Sequence, residues 1–282
     1  MFKSVGLVAR YDQEPALKLA TELATFLKRK GLQVYVEDSL KGKISKKEQF
    51  VPLSEMKTDF IITIGGDGTI LRTSMGLPKP EPPILAVNMG VRGFLTEVEP
   101  QSACEAVDRV LNGQYNIEKS VKVASKAGSE VFPDALNDVV VFAGEPSKVL
   151  YAQIFKDDKP ILKVQADGVI VATQTGCTGY SLSAGGPVLD KEIDAFVLTP
   201  ICSLTVFRSL IIPCNSKIVF KVLRPKVMQV IIDGKYRKFV GDGVGDPPTL
   251  ELTKSKGTAS FFRFEADFYE RLRNRLLFKG TE

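Results

Sequence analysis

The period of the hydrophobic residues changes once along this chain, near residue 115, and that change constrains the fold more tightly than any single motif. Up to that point short apolar runs alternate with segments whose apolar residues recur every three or four positions. Val5-Gly6-Leu7-Val8-Ala9 has the composition of a buried strand. Asp12 stands where it can cap the helix that follows, with Pro15 in the first turn; Leu19, Leu23, Phe26 and Leu27 supply the apolar stripe and Gly31 the stop. Further strands are expected around Val34 and Val36, at residues 60–64 and at residues 84–88. The proline-rich residues 78–83 between the last two cannot be helix interior. Lys41, Lys43, Lys46 and Lys47 read as a solvated loop. A helix through Ala103, Val107, Val110 and Leu111, stopped by Gly113, closes the region. Strands alternating with helices imply a parallel sheet, so residues 1–114 are assigned to an α/β domain.

Beyond residue 115 the period is two. Residues 139–142, 161–164, 169–172, 218–222 and 227–232 all read as strands, which makes residues 115–265 a β-rich, sandwich-like domain. Asp233-Gly234 predicts a hairpin turn, and Lys256-Gly257 a second one between residues 250–252 and 260–262. Residues 266–282 turn helical again: Asp267 and Glu270 form a capping-box pattern, and Phe268, Leu272 and Leu276 a stripe flanked by Arg271, Arg273 and Arg275. A single amphipathic helix is unstable alone, so this one is expected to dock back on the first domain.

Composition narrows the chemistry. With 44% hydrophobic and 25% charged residues, the 282-residue chain has material for a sizeable core. No apolar stretch reaches the ~18 residues of a membrane span, and the first residues lack the apolar centre of a signal peptide. Cys104, Cys177, Cys202 and Cys214 lie far apart with no Cys-x-x-Cys pair, which fits a reducing cytoplasm. There is no histidine, so Ser-His-Asp hydrolysis, His-ligated zinc and phosphohistidine chemistry are excluded. Proton transfer near pH 7 falls to carboxylates, Lys, Tyr, Cys or a metal-bound water. A formal charge of +5 suits an anionic small molecule and calls for neither nucleic acid nor membrane.

Three segments carry the chemistry. In Ile64-Gly65-Gly66-Asp67-Gly68-Thr69-Ile70-Leu71-Arg72 a buried strand runs through glycines into a helix. Glycines there permit positive φ and close backbone approach to a ligand, and the helix start offers N–H groups to an anion. The pattern is neither a Walker loop nor a dinucleotide Gly-x-Gly-x-x-Gly fingerprint. A carboxylate among phosphate-holding amides needs a purpose: Asp67 either holds Mg²⁺ that bridges phosphates or accepts the proton of a hydroxyl. Both readings point to phosphoryl transfer onto an alcohol; a plain tight turn is the alternative. In the second segment, residues 166–187, a strand leads into hydroxyls and glycines with one aromatic, Tyr180. Hydroxyls and free amides suit a sugar and phosphates, and Tyr180 offers a face for stacking; a Ser/Thr-rich loop is the bland reading. The third, Asn137-Asp138 at a strand entrance, suits ribose hydroxyls or a carboxamide, and equally an ordinary turn.

Taken in order, Gly-Gly-Asp-Gly-Thr, Asn88-Met89-Gly90 with Gly93-Phe94-Leu95-Thr96-Glu97, Asn137-Asp138, Asp167-Gly168 and Thr175-Gly176-Cys177-Thr178-Gly179-Tyr180-Ser181-Leu182-Ser183-Ala184-Gly185-Gly186-Pro187 resemble the NAD kinase family, over residues 5–265. The resemblance implies an α/β nucleotide-binding domain followed by a β-rich domain, with NAD in the cleft between them. It implies Mg²⁺-dependent transfer of a phosphoryl group from ATP, or from polyphosphate in some members, to the 2′-hydroxyl of the adenosine ribose. Asp67 matches the proton acceptor and Gly68 a dinucleotide contact, and Arg72 falls where a basic residue can approach phosphates. The loop backbone at Gly65, Gly66 and Thr69 would hold the donor phosphates. Asn137 and Asp138 match the pair that holds the substrate, and Asp167 the acid at the nicotinamide-ribose end. Thr178, Gly179, Tyr180, Ser181, Leu182 and Ser183 match the substrate-lining segment, and Lys148 has the spacing of a contact from a neighbouring subunit. Family members are commonly dimers or tetramers built through the β domain, so a homo-oligomer is expected.

The chain departs from the family pattern where Gln174 replaces Pro, Cys177 replaces Ser, Gly179 replaces Ala and Asp138 replaces Glu. Cys177 is expected to weaken a substrate contact and Gly179 to loosen the loop. Two rival readings stand beside this one. The Gly-Gly-Asp-Gly loop alone also resembles that of lipid and sugar-phosphate kinases, although no apolar entrance stretch accompanies it. A non-catalytic NAD(P)-binding module would retain the fold, and Asp67 argues against it.

Overall fold

The computed structural model describes residues 2–264 apart from Val91, Arg92, Pro146 and Phe207, and also Phe268, Tyr269, Leu272 and Arg273. Contacts divide the chain into two units, Met1–Lys119 with Ala259–Glu282 and Ser120–Thr258.

In the first unit the strands β1 (Ser4–Ala9), β2 (Gln33–Glu37), β3 (Gln49–Val51), β4 (Phe60–Gly65) and β5 (Ile84–Asn88) pair in parallel in the order β5-β4-β1-β2-β3. Every residue of β4 is buried, which is why its sequence is apolar at all but Thr63 rather than alternating. The helices are α1 (Glu14–Arg29), α2 (Asp67–Gly76) and α3 (Ala103–Leu111). Leu23 and Leu27 of α1 and Val107 and Val110 of α3 enter one core with Leu7, Phe60, Ile62 and Phe262. Gly31 and Gly113 end their helices with φ of +82° and +73°.

The expected cap is not formed. Helix α1 begins after Gln13 without a side-chain cap, because Arg10 takes the Asp12 carboxylate in a fork at 2.9 and 3.2 Å. Strand β3 has only three residues and no period to reveal it. The lysine loop is exposed as expected, but Lys43 is anchored: its Nζ donates to the Tyr11 carbonyl at 3.0 Å and lies 4.5 Å from the Tyr11 ring centroid. Phe268 is buried, and its ring meets that of Phe94 edge-on at 5.7 Å. Asp267, Glu270, Arg271, Arg275 and Leu276 lie outside the described residues. No described helix is long and apolar enough to cross a membrane.

The second unit is built from antiparallel strands. After β6 (Asn116–Ala127) and β7 (Glu130–Val131) come β8 (Asp138–Ala143), β9 (Leu150–Lys156), β10 (Lys159–Ala166) and β11 (Gly168–Ala172). A four-residue helix, α4 (Tyr180–Ser183), precedes β12 (Ala195–Ile201), β13 (Leu210–Pro213), β14 (Ile218–Arg224), β15 (Met228–Ile232), β16 (Tyr236–Val240) and β17 (Thr249–Arg263). One sheet has the order β13-β12-β11-β8-β15-β16. In a second set, β9 pairs with β10 and β14, and β14 with Thr249–Leu252 of β17. The hairpin at Asp233-Gly234 forms, with φ of 49° and 65°. The turn expected at Lys256-Gly257 does not: β17 runs straight through it. Ser255 Oγ donates to Asp134 at 2.7 Å and accepts the Gly257 N–H at 3.0 Å, holding the segment extended.

Candidate active site

In the first unit the chain fills β1, β2 and β3 on one side and then places β4 on the other side of β1, so the strand order reverses between β1 and β4. Ligands of open α/β sheets bind beyond the carboxyl ends of strands at such a reversal. There β4 ends in Gly65, and Asp67 is the first residue of α2. The Asp67 carboxylate is half-buried and accepts the Phe94 N–H at 3.1 Å on each oxygen and the Leu95 N–H at 3.1 Å on Oδ1.

The glycines serve this loop differently from the expectation of positive φ. Gly66 is extended, with φ of −100°. Gly65 is required by contact: a Cβ there would lie 2.2 Å from Thr69 Oγ1. At Gly66 a Cβ would meet nothing within 4 Å, so bare backbone faces open space. Thr69 is buried and its N–H donates to the Gly66 carbonyl at 2.9 Å, so that amide is committed within the helix. Arg72 forms a forked ion pair with the buried Glu37, one arm at 2.9 Å.

Behind the Phe94-Leu95 amides stands a residue the sequence did not single out. Arg263 is buried; its Nη1 donates to the Leu95 carbonyl at 2.9 Å, and its Nε and Nη2 donate to Glu118 at 3.1 and 2.8 Å. The Glu97 carboxylate accepts the Phe264 N–H at 2.9 Å. Leu95, whose N–H orients Asp67, is thus also held at its carbonyl, one peptide further on.

In the second unit Asn137 and Asp138 open β8. Asn137 carries a buried amide oxygen with no partner among the described residues. Asp138 is buried, and its carboxyl accepts no hydrogen bond from the described residues. Burial, and then the charge of Asp233, push its pKa up to about 7. Asp233 is buried too, and its carboxylate accepts the N–H groups of Leu136, Asn137 and Asp138 at 2.9, 2.8 and 3.0 Å.

The hydroxyl-rich segment splits into an inner and an outer set. Thr178 is buried with its hydroxyl on the Thr175 carbonyl at 3.1 Å, and Ser181 Oγ pairs with Thr199 Oγ1 at 2.8 Å. Those two side chains face the interior, because a helical turn sends part of any polar run inward. Tyr180 and Ser183 are exposed, and Gly179 and Leu182 half-buried. Burial first, and the nearby acids Cys202, Asp138 and Asp167 next, raise the Tyr180 pKa, so these groups lie within electrostatic reach of the ring hydroxyl. Cys177 is fully buried in the core cluster of Val140, Ile170, Ala172 and Val197. Its thiol donates to the Gln174 carbonyl at 3.0 Å and accepts the Leu189 N–H at 3.2 Å, so it replaces an interior contact and not a substrate contact. Gly176 is dictated by contact, since a Cβ there would lie 1.9 Å from the Asn137 carbonyl oxygen.

Lys148 and Asp167, both exposed, line one cavity of about 560 Å³ with Phe142, Gln229 and Phe239. Among the described residues no three His, Cys, Asp or Glu side chains converge into a metal cage.

The family model of the ATP-NAD kinase N-terminal domain matches residues 5–115, and that of the C-terminal domain matches residues 136–263. The chain is 37% identical to an NAD kinase of Methanothermobacter thermautotrophicus, over 99% of this chain and 98% of the relative. It is 40% identical to an NAD kinase of Thermococcus gammatolerans, over 96% and 98%. Among solved structures, an NAD kinase from Archaeoglobus fulgidus in complex with ATP superposes with a TM-score of 0.78 at 27% identity, covering 96% of this chain and 99% of that one. Yeast NADH kinase complexed with NADH shares the fold, with a TM-score of 0.87 at 23% identity, covering 100% of this chain and 90% of that one.

Proposed function

The chain belongs to the ATP-NAD kinase family, and on that premise we propose that it transfers a phosphoryl group from ATP to the 2′-hydroxyl of the adenosine ribose of NAD, giving NADP. One observation carries the reading: a carboxylate stands at the sheet's reversal point, oriented by two backbone amides and preceded by backbone that carries no side chain. Asp67 accepts the 2′-hydroxyl proton as that oxygen attacks the terminal phosphorus in line. Backbone at Gly66 and the start of α2 meets the donor phosphates, where helix-start amides favour negative charge. A divalent cation, when bound with the donor, neutralises phosphate charge. Asn137 and Asp138 hold the substrate through its ribose hydroxyls or carboxamide, Tyr180 stacks on a ring, Asp167 serves the nicotinamide-ribose end, and Lys148 contacts the substrate of a neighbouring subunit.

The same reading includes a homo-oligomer assembled through the β-rich unit. Its support is the edge strand β13, which exposes Leu210 and Ile211 to 37% and 53%. Four free cysteines, two of them exposed, suit a cytoplasmic setting. The direct test incubates the protein with Mg²⁺ and NAD, with either ATP or polyphosphate as donor, and reads NADP formation. Diacylglycerol as acceptor is the control. NADP from the ATP arm is the expected result; phosphorylation of diacylglycerol alone, or NADP binding without turnover under either donor, would reverse the assignment.

A further inference from the structure

We propose that Asp233 is a positioning residue of the dinucleotide site: its carboxylate fixes the backbone from which Asn137 and Asp138 present their side chains to the substrate. This rests on the assignment of that pair to NAD binding in the preceding section. Read as a sequence, Asp233-Gly234 accounts only for a hairpin turn, a role that any residue tolerant of positive φ fills. A turn at the surface has no need of a buried carboxylate, and burying one is unfavourable unless donors meet it. Here three meet it, all from consecutive residues: Leu136 donates to Oδ2, and Asn137 and Asp138 to Oδ1. The Asp233 N–H in turn donates to the Asp138 carbonyl at 3.0 Å.

Thr173 holds the other side of the same segment. Its Oγ1 donates to the Leu136 carbonyl at 2.6 Å and its N–H to the Asn137 carbonyl at 2.8 Å. All six backbone polar groups of residues 136–138 are therefore bonded to Asp233 or Thr173. The side chains are the opposite: among the described residues the Asn137 amide oxygen has no partner and the Asp138 carboxyl accepts no hydrogen bond. A backbone fully fixed beneath unpaired polar side chains is the arrangement expected of a preorganised binding pair.

Asp233 also sets the electrostatics of that pair. Burial pushes the Asp233 pKa up, while the three amides and the buried Lys122 of β6 favour its charged form; that carboxylate acts on Asp138, and the phenol of Tyr180 lies within reach of Asp138. Asp233→Asn separates the roles. Asn tolerates the turn's positive φ and keeps the hairpin, but it offers one acceptor oxygen instead of two and carries no charge.

The test compares steady-state kinetics and NAD titration calorimetry of the wild-type protein with those of Asp233→Asn, across pH 5–9. With Asp233→Asn, KM and Kd for NAD should rise about tenfold, the effect of losing one hydrogen bond, while kcat stays within about threefold. The inflection of kcat/KM with pH should move to lower pH, because Asp138 loses its charged neighbour. Should Asp233→Asn fail to fold, Thr173→Val loosens the same segment from its carbonyl side and should raise KM in the same direction. A variant with wild-type KM and an unmoved inflection, or one that loses activity only through a smaller folded fraction, would overturn the proposal. Wild-type protein that neither binds NAD nor forms NADP would instead overturn the functional reading on which it rests.

Discussion

At the start of α2 Asp67 takes two backbone N–H groups onto its carboxylate and stays half-buried, whereas at the start of β8 Asp138 is buried, accepts no hydrogen bond from the described residues and has a second carboxylate beside it. In the first unit donors converge on the functional side chain itself; in the second they converge on its neighbour Asp233 and leave the functional side chain unpaired. The difference matches the two roles proposed for these carboxylates. A proton acceptor needs a fixed direction toward one hydroxyl, so its oxygens are pinned. A substrate-holding carboxyl needs unfilled hydrogen-bonding capacity, so what is pinned is the backbone beneath it.

The contrast can be broken most severely at Asp67. Asp67→Asn keeps the shape and should lower kcat by ~10²–10⁴, the usual worth of general-base help, while NAD still binds by calorimetry. Equal losses in binding and turnover would mean that the carboxylate holds substrate in the way Asp138 does. Arg263→Lys keeps a positive charge near Glu118 but cannot hold Glu118 in a fork and the Leu95 carbonyl at the same time, so kcat should fall about tenfold with KM for NAD little changed. A rise in KM with constant kcat would place Arg263 in the holding machinery instead.

The glycines sharpen the comparison within one loop. Gly65→Ala drives a Cβ to 2.2 Å from Thr69 Oγ1 and should destabilise the protein by about 1–3 kcal/mol, read as a lower Tm. Gly66→Ala meets open space, so stability should stay within about 0.5 kcal/mol while KM for the donor rises.

The buried Asp138–Asp233 pair predicts a pH signature. The Asp138 carboxyl binds its proton more tightly folded, up to about 7, than in the unfolded chain at roughly 4. Its stabilising contribution is therefore complete below roughly pH 4 and is lost as pH rises toward about 7. The slope is at most about 1.4 kcal/mol per pH unit. Denaturation midpoints should show this fall, and Asp138→Asn should flatten it. Cys177→Ser should cost about 1 kcal/mol of stability and leave KM for NAD unchanged, because that side chain faces the core.

Periodicity made β1, β2, β4 and β5 legible, together with most strands of the second unit, because burial writes itself into apolar spacing. It failed where a contact distant in sequence decides the local geometry. Lys256-Gly257 has turn composition, but Asp134 keeps it extended through Ser255. Asp12 has cap composition, but Arg10 reaches it first. At the site, Asp67 stood out as an acid among glycines, whereas its holders are backbone amides and an arginine 168 residues from the carbonyl it grips, and neither leaves a local signature. The hydroxyls of Thr178 and Ser181 looked like ligand groups because composition cannot tell which side of a turn faces inward.

The bare Cα of Gly176 against the Asn137 carbonyl has a practical corollary for anyone redesigning cofactor preference. Combinatorial libraries across this loop should hold position 176 constant, whereas at 179 a methyl group would lie 3.3 Å from the Gly176 carbonyl oxygen, a contact relieved by a shift of a few tenths of an ångström. Mutational scans should find the loop intolerant at one point and less strained three residues later.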